Sequence, residues 1–283
     1  MSSSHSLTSV MLGQTGAMIM AIRSARTLAI ALLMVGAAKP QTFAPTGSIT
    51  FEVASIKRSQ PSASEIGVRP APGGQRYIGT APLRTYLYVA YQVRPEQIVG
   101  GPRWIDSELY DLNAEAEKPS NIEGLHIMLQ NLLVERFKLK FHYNAKEMES
   151  YVLSVDKSGP KNMKVRPSAG GGDVALDRTV DQLVHEKWAA HCASVDFFVW
   201  RFSAWLDQPM VNQTGLKGCF DFELTFTREP RRGTPLSEVP DGVDTSGPTV
   251  YQALLGQLGL RFESKKAPVE TMVIDYAERP LEN

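Results

Sequence analysis

Apolar and polar positions alternate along this chain in two rhythms, one of strands and one of helices. Ile49, Phe51 and Val53, with a slip to Ile56, alternate as a strand. A Pro-, Gly- and Ser-rich loop over residues 61–74 follows, then a short strand at Tyr77-Ile78. Thr80 is placed to cap a helix whose first turn accepts Pro82. Leu83, Tyr86, Leu87, Ala90 and Tyr91 give that helix one apolar face, and Pro95 ends it. Gln97-Ile98-Val99 predicts a short strand, Gly100-Gly101-Pro102 a turn, and residues 109–116 an alternating strand. Asn121 caps a second helix with the stripe Leu125, Met128, Leu129, Leu132 and Leu133. Residues 139–143 and 150–156 then read as the two strands of a hairpin.

The second half repeats this order. Ser194 caps a helix carrying Phe197, Phe198, Trp200, Phe202 and Trp205; Pro209-Met210-Val211 and a turn over residues 214–218 follow. Residues 219–226 alternate as a strand. Thr249 caps a helix with Val250, Leu254, Leu255 and Leu258, and Leu260-Arg261-Phe262 with residues 271–276 reads as a closing hairpin. Leu139-Lys140-Phe141 aligns with Leu260-Arg261-Phe262, and without a gap residues 149–153 then meet residues 270–274. Tyr110-Asp111-Leu112 meets Phe220-Asp221-Phe222. The expected fold class is α+β, with two homologous lobes, each a small sheet packed by two helices: a duplicated βαβ-type unit. The lobes are expected over residues 49–158 and 191–283. Between them, residues 159–190 form a connection with Gly159-Pro160, Gly170-Gly171-Gly172 and a short helix over residues 177–190.

Composition narrows the function classes. The 283 residues are 43% hydrophobic and 21% charged, as in globular proteins. Thirty basic side chains balance thirty acidic ones, so no long-range field favours nucleic acid or anionic lipid. The local basic run Arg228, Arg231, Arg232 reads as a solvated loop. At the N-terminus Arg23 and Arg26 precede an apolar run, Thr27 onward, and small residues at Gly36, Ala37 and Ala38. This is a secretory signal peptide pattern over residues 1–40, with Met18 or Met20 as alternative starts. The run is shorter than the ~20 residues a permanent span needs, so no stable membrane anchor is expected after cleavage. The expected location is the periplasm or the medium. Export would place Cys192 and Cys219 where a disulfide is permitted; a bridge and two buried thiols are both compatible with the sequence.

Candidate chemistry is sparse. His185-Glu186 and His191-Cys192 lack the spacing of a zinc protease, and no Gly-x-Ser-x-Gly elbow or phosphate-cradling Gly-Lys-Ser/Thr motif occurs. No cofactor and no metal site is expected. Asp111 with Glu115, and Asp221 with Glu223, fall on alternating strands, whose polar residues ordinarily face solvent. Trp104, after Gly100-Gly101-Pro102, suits either a stacking contact or a plug over the core. The candidate binding surface is Gly100, Gly101, Pro102, Trp104, Asp106, Thr214, Gly215 and Leu216.

Several longer motifs carry a resemblance. They are residues 51–57 (FEVASIK), 100–106 (GGPRWID), 133–139 (LVERFKL), 212–218 (NQTGLKG), Ala267-Pro268-Val269-Glu270 leading to Ile274-Asp275, and the terminal ERPLEN. Together they resemble the soil-associated, acidobacterial family of exported proteins of unknown function, the domain of unknown function 3738 group. The resemblance implies export and no mechanism. That family reads Asp-Arg-Thr-Gly-Leu where this chain has Asn212-Gln213-Thr214-Gly215-Leu216, so no role of that acid or arginine carries over. The order of elements is also similar, at the level of fold, to the short N-terminal domain of secretins and TonB-dependent receptors, which are periplasmic modules that meet other proteins. The function expected is a non-catalytic binding or interaction module of the cell envelope, whose partner is an envelope protein or a small ligand. The alternatives are an extracytoplasmic hydrolase using acids such as Asp106 and Asp111, and an assembly protein binding only other proteins.

Overall fold

In a computed structural model, residues 49–59, 67–166, 175–181, 184–206, 208–227 and 246–281 are described. All of them fall in one unit, Pro40–Asn283. The signal peptide pattern, Gly170-Gly171-Gly172 and Arg228, Arg231 and Arg232 lie outside the described residues. The class is α+β, built on three four-stranded sheets.

The first sheet is antiparallel, in the order β1-β5-β3-β2: β1 (Val53–Arg58), β5 (Leu109–Glu115), β3 (Arg76–Pro82) and β2 (Gly67–Pro70). On β5 the alternation expected from sequence holds, with Tyr110, Leu112 and Ala114 buried and Asp111, Asn113 and Glu115 exposed. Helices α1 (Leu83–Ala90), α2 (Trp104–Ser107) and α3 (Ile122–Arg136) belong to this half. The cap of α1 is Pro82 rather than Thr80: β3 runs on through Pro82, and Thr80 Oγ1 instead donates to Asp111 Oδ1 at 2.6 Å. Asn121 caps α3 by accepting from Gly124 N.

The third sheet has the order β7-β11-β9-β8: β7 (Lys164–Arg166), β11 (Cys219–Thr227), β9 (His185–Ala193) and β8 (Ala175–Asp181). The helix expected over residues 177–190 is therefore absent, replaced by the antiparallel pair β8 and β9. The physical reason is the buried acid Glu186, on the same face of β9 as Trp188 and Ala190. A charge at an inward position hides the alternation; Arg178 makes it tolerable with two 2.7 Å bonds to the carboxylate. Helix α4 (Val195–Ser203) is capped by Ser194 and buries Phe197, Phe198, Trp200 and Phe202. Trp205 falls beyond its end and lies over the Arg178 guanidinium at 3.3 Å. Helix α5 (Val250–Ala253), capped by Thr249, runs into a π-helical turn (Leu254–Leu258).

Between these sheets lies the second, in the order β10-β6-β12-β4. Here the expected hairpins are corrected. Residues 139–143 and 150–156 belong to one long strand, β6 (Lys140–Val155), and the C-terminal segment to another, β12 (Leu260–Tyr276). They pair with each other, antiparallel, from Leu260↔Val155 to Ile274↔Phe141. The largely exposed stretch from Asn144 to Glu149, four of whose six residues are polar, mimics a loop, yet it contains neither Gly nor Pro to turn the chain. Two short parallel strands flank the ribbon: β4 (Ile98–Gly100) on β12 and β10 (Met210–Asn212) on β6.

Two apolar clusters form the core, and the ribbon ties them. The first gathers residues from β1 to α3 and also takes Met272 and Ile274 from β12. The second gathers residues from β9 to α5 and also takes Leu153 from β6. Each half thus places the end of its last strand in the other half's core. Burying each such side chain stabilises by ~1.5–3 kcal/mol. Tyr88 and Ile122 pack against both clusters.

Candidate functional site

The eight candidate surface residues form two separate turns. Gly100 ends β4, Gly101 and Pro102 follow it and Trp104 and Asp106 lie on α2, while Thr214, Gly215 and Leu216 follow β10, on opposite edges of the central sheet. Gly100 faces Ile274, hence Phe141, whereas Asn212 faces Leu153. Phe141 and Leu153 stand near opposite ends of β6, a separation along the strand of roughly 40 Å at ~3.3 Å per residue. One continuous surface of these eight residues does not exist.

The first turn depends on its glycines. Gly100 and Gly101 have φ of 76° and 79°, and a Cβ on Gly101 would lie 2.7 Å from Ile105 Cδ1. The chain therefore hugs the core here, and α2 begins at once. Ile105 is fully buried, and Trp104 stacks on Phe137 with ring centroids 6.1 Å apart and 19° between planes. Tyr110 meets the indole edge-on at 6.2 Å, and the Arg279 guanidinium lies 5.3 Å above it. Trp104 is thus a plug, held from outside by an arginine. Arg279 is itself anchored on Glu108, with Nη2 at 2.7 Å. That hydrogen bond, first of several causes, holds the Glu108 carboxyl below its usual range, and Tyr110 and Arg58 act the same way.

Asp106 faces a different neighbour. Arg84, in the first turn of α1, binds both its carboxylate oxygens through Nε and Nη2 and also donates to the carbonyl of Ile98. The pair borders a small cleft, of about 130 Å³, lined by Pro82, Arg84, Thr85, Tyr88, Pro95 and Asp106. Sequence reasoning marked Asp106 but missed the other five. The prolines were read only as helix punctuation, and Arg84 and Thr85 lie on the polar side of the α1 pattern, where nothing distinguishes them from solvated residues.

The second turn is held by side chains. Asn212 Nδ2 donates to Asp196 Oδ1 at 2.7 Å, and Asn212 Oδ1 accepts from Thr214 N at 3.0 Å and Thr214 Oγ1 at 2.7 Å. Leu216 N donates to Thr214 Oγ1, and Leu216 packs against the second core. A Cβ on Gly215, φ 69°, would meet nothing within 4 Å.

Cys192 and Cys219 form a disulfide joining β9 to β11. Cys192 sits at a positive φ of 44°, beside the register shift between Phe220 and Phe222. Its N–H donates to Asp221 Oδ1 at 2.9 Å, which heads the causes that keep the Asp221 carboxyl below its usual range. Asp111, the other acid weighed for catalysis, stands on the exposed face of β5. His185 and His191 both lie on β9, where the helical geometry of a zinc protease does not arise. Among the described residues no group of three His, Cys, Asp or Glu side chains is placed to hold a metal. Nor, among them, is any helix long and apolar enough to cross a membrane.

His126 was not singled out in the sequence. It is buried where the two cores meet, 3.0 Å from Gln92 Nε2 through Nδ1, with Trp200 edge-on at 5.8 Å and Tyr77 at 6.1 Å. Burial, with help from Arg201, pushes its pKa down to about 4.

This is an α+β protein with tightly tied turns and a small cleft at one of them. Residues 84–277 match the model of a family described as a protein of unknown function (DUF3738), and the chain belongs to that family. No curated protein and no solved structure matches it.

Proposed function

We propose that the chain is a non-catalytic binding or interaction module, exported to the cell envelope and built from two diverged copies of one βαβ-type unit. The observation that carries the binding role is the cleft beside Arg84 and Asp106. Its walls are two prolines, a threonine and a tyrosine, and its single acid is bonded to an arginine. Such a lining holds a group in place; it offers no pair of acids with opposed protonation states of the kind that drives hydrolysis. The export reading draws support from the N-terminal charge and apolar pattern and from the Cys192–Cys219 disulfide, a bond characteristic of oxidising compartments.

The test uses the mature chain from Gln41 in a thermal-shift panel of sugars, peptidoglycan fragments, peptides and divalent metals. A ligand at 100 times its Kd adds about 2.7 kcal/mol, a shift of several degrees. Thr85→Arg, which fills the cleft, is expected to abolish the shift. Silence across the panel moves the reading to a protein partner, sought by crosslinking in the envelope. Turnover of an envelope polymer by the purified chain would overturn it. Export is tested separately, by fusing residues 1–48 to a reporter active only outside the cytoplasm.

A further inference from the structure

The strand registers of the two halves correspond through the ribbon, its edge strands and the first pair of each outer sheet; beyond that pair, β9 carries a bulge that β3 lacks. In the ribbon, the sequence alignment that matches Phe141 to Phe262 and Leu153 to Ile274 also matches Glu147 to Pro268. Glu147 and Pro268 pair with each other. Two equivalent residues can face one another in this way only on a two-fold axis. The edge strands obey the same relation. Ile98 pairs with Met272 and Met210 with Tyr151, where Met272 and Tyr151 are themselves matched positions.

The outer sheets follow. Tyr110 pairs with Ala81 and Phe220 with Ala193, and the next residues, Pro82 and Ser194, are the caps of α1 and α4. Counting on from these caps, Tyr88 matches Trp200, and their rings meet at 5.5 Å, as equivalent residues do beside an axis. Just before the ribbon strands, Lys138 and Gly259 occupy matched positions, and both have positive φ, 49° and 65°. The cores close the relation: Met272 and Ile274 enter the first, and Leu153, the match of Ile274, enters the second.

We propose that the chain is a fused two-fold dimer: the partner that each unit fits is a second copy of itself, through an exchanged ribbon whose axis passes between Glu147 and Pro268. The inference rests on the duplication reading above and is independent of any ligand. The unit is not a lobe that folds and then touches its neighbour. Each needs the other's last strand to finish its sheet and fill its core. The seam between the halves, where Tyr88, His126 and Trp200 gather, is then the old subunit interface.

The experiment trades sequence between the two ribbon strands of the full chain, so that residues 141–153 carry FESKKAPVETMVI and residues 262–274 carry FHYNAKEMESYVL. On a two-fold axis this trade preserves every pair between β6 and β12 and changes only those with the short edge strands β4 and β10. The expected product melts in one transition within about 10 °C of the parent. A control trade staggered by one residue turns the apolar positions to the wrong face and is expected to lose its near-UV circular dichroism. A staggered trade that folds and is at least as stable as the in-register one counts against the proposal. If neither chain folds, spin-label distances in the otherwise unchanged protein decide. Labels at Asn113 and Glu270 should report the same separation as labels at Glu223 and Glu149, to about one strand spacing, ~5 Å. A larger disagreement removes the axis.

Discussion

The first half of the molecule closes itself by packing, the second by covalent and polar ties. After β4, two glycines let the chain press onto Ile105 and Ile274, and Trp104 seals the edge against Phe137 and Tyr110. After β10, on the opposite edge of the central sheet, Asn212 and Thr214 knit the turn with hydrogen bonds, and a disulfide pins the strand that follows. On α1 the cation Arg84 reaches the acid Asp106; in the first turn of α4 the acid Asp196 receives Asn212. Two turns, each leaving an edge strand of the central sheet, are thus held by two unrelated sets of side chains. Layout is held by the ladders and the interlocked cores, and each turn needs only one sufficient fastening.

That contrast yields graded expectations. Trp104→Ala should cost about 3 kcal/mol, while Leu216→Ala at the other turn should cost about 1 kcal/mol, read from urea unfolding. Equal costs would erase the distinction between a packed and a tied turn. Reduction of Cys192–Cys219 should cost about 3 kcal/mol, and hydrogen exchange should rise first in β9 and β11.

His126 probes what the halves share. Its pKa is lower folded than unfolded, so the unfolded chain takes up the proton first as pH falls. Its contribution is complete above about pH 6.5 and is lost progressively toward pH 4, by up to about 3 kcal/mol. His126→Gln should flatten this part of the stability–pH curve. Both halves should melt together throughout; a second transition at low pH would show that the seam opens before either core. The smallest effect compares glycines: Gly101→Ala should cost about 2 kcal/mol, for strain plus a clash, and Gly215→Ala about 1 kcal/mol, for strain alone.

Much of this was legible in the sequence. Asn121, Ser194 and Thr249 were readable as caps because a short polar side chain before an apolar stripe has few other uses there. That the segments on either side of residues 144–149 and 263–270 are strands was also visible. What the strands pair with was not, since alternation fixes which face is buried and says nothing of the neighbour. Two local hairpins and one shared ribbon have the same pattern. Strands β8 and β9 were hidden by Glu186, whose inward charge is explained only by Arg178, a partner on the adjacent strand. At the site, Asp106 stood out as an acid after a turn, but its neutralisation by Arg84 depends on a tertiary approach between α1 and α2.

The ribbon also sets a timetable. Strand β6 lies midway along the chain, and its mate is made almost last. Until β12 emerges, the long edge of β6 that takes it stays open, with only the three residues of β10 on the other side, and the first core lacks Met272 and Ile274. Contacts of such long range slow folding and leave adhesive strand edges exposed in the meantime. A chain threaded N-terminus first through a narrow channel would reach the far side unable to lock, and only its final seventeen-residue strand, Leu260–Tyr276, would end the wait.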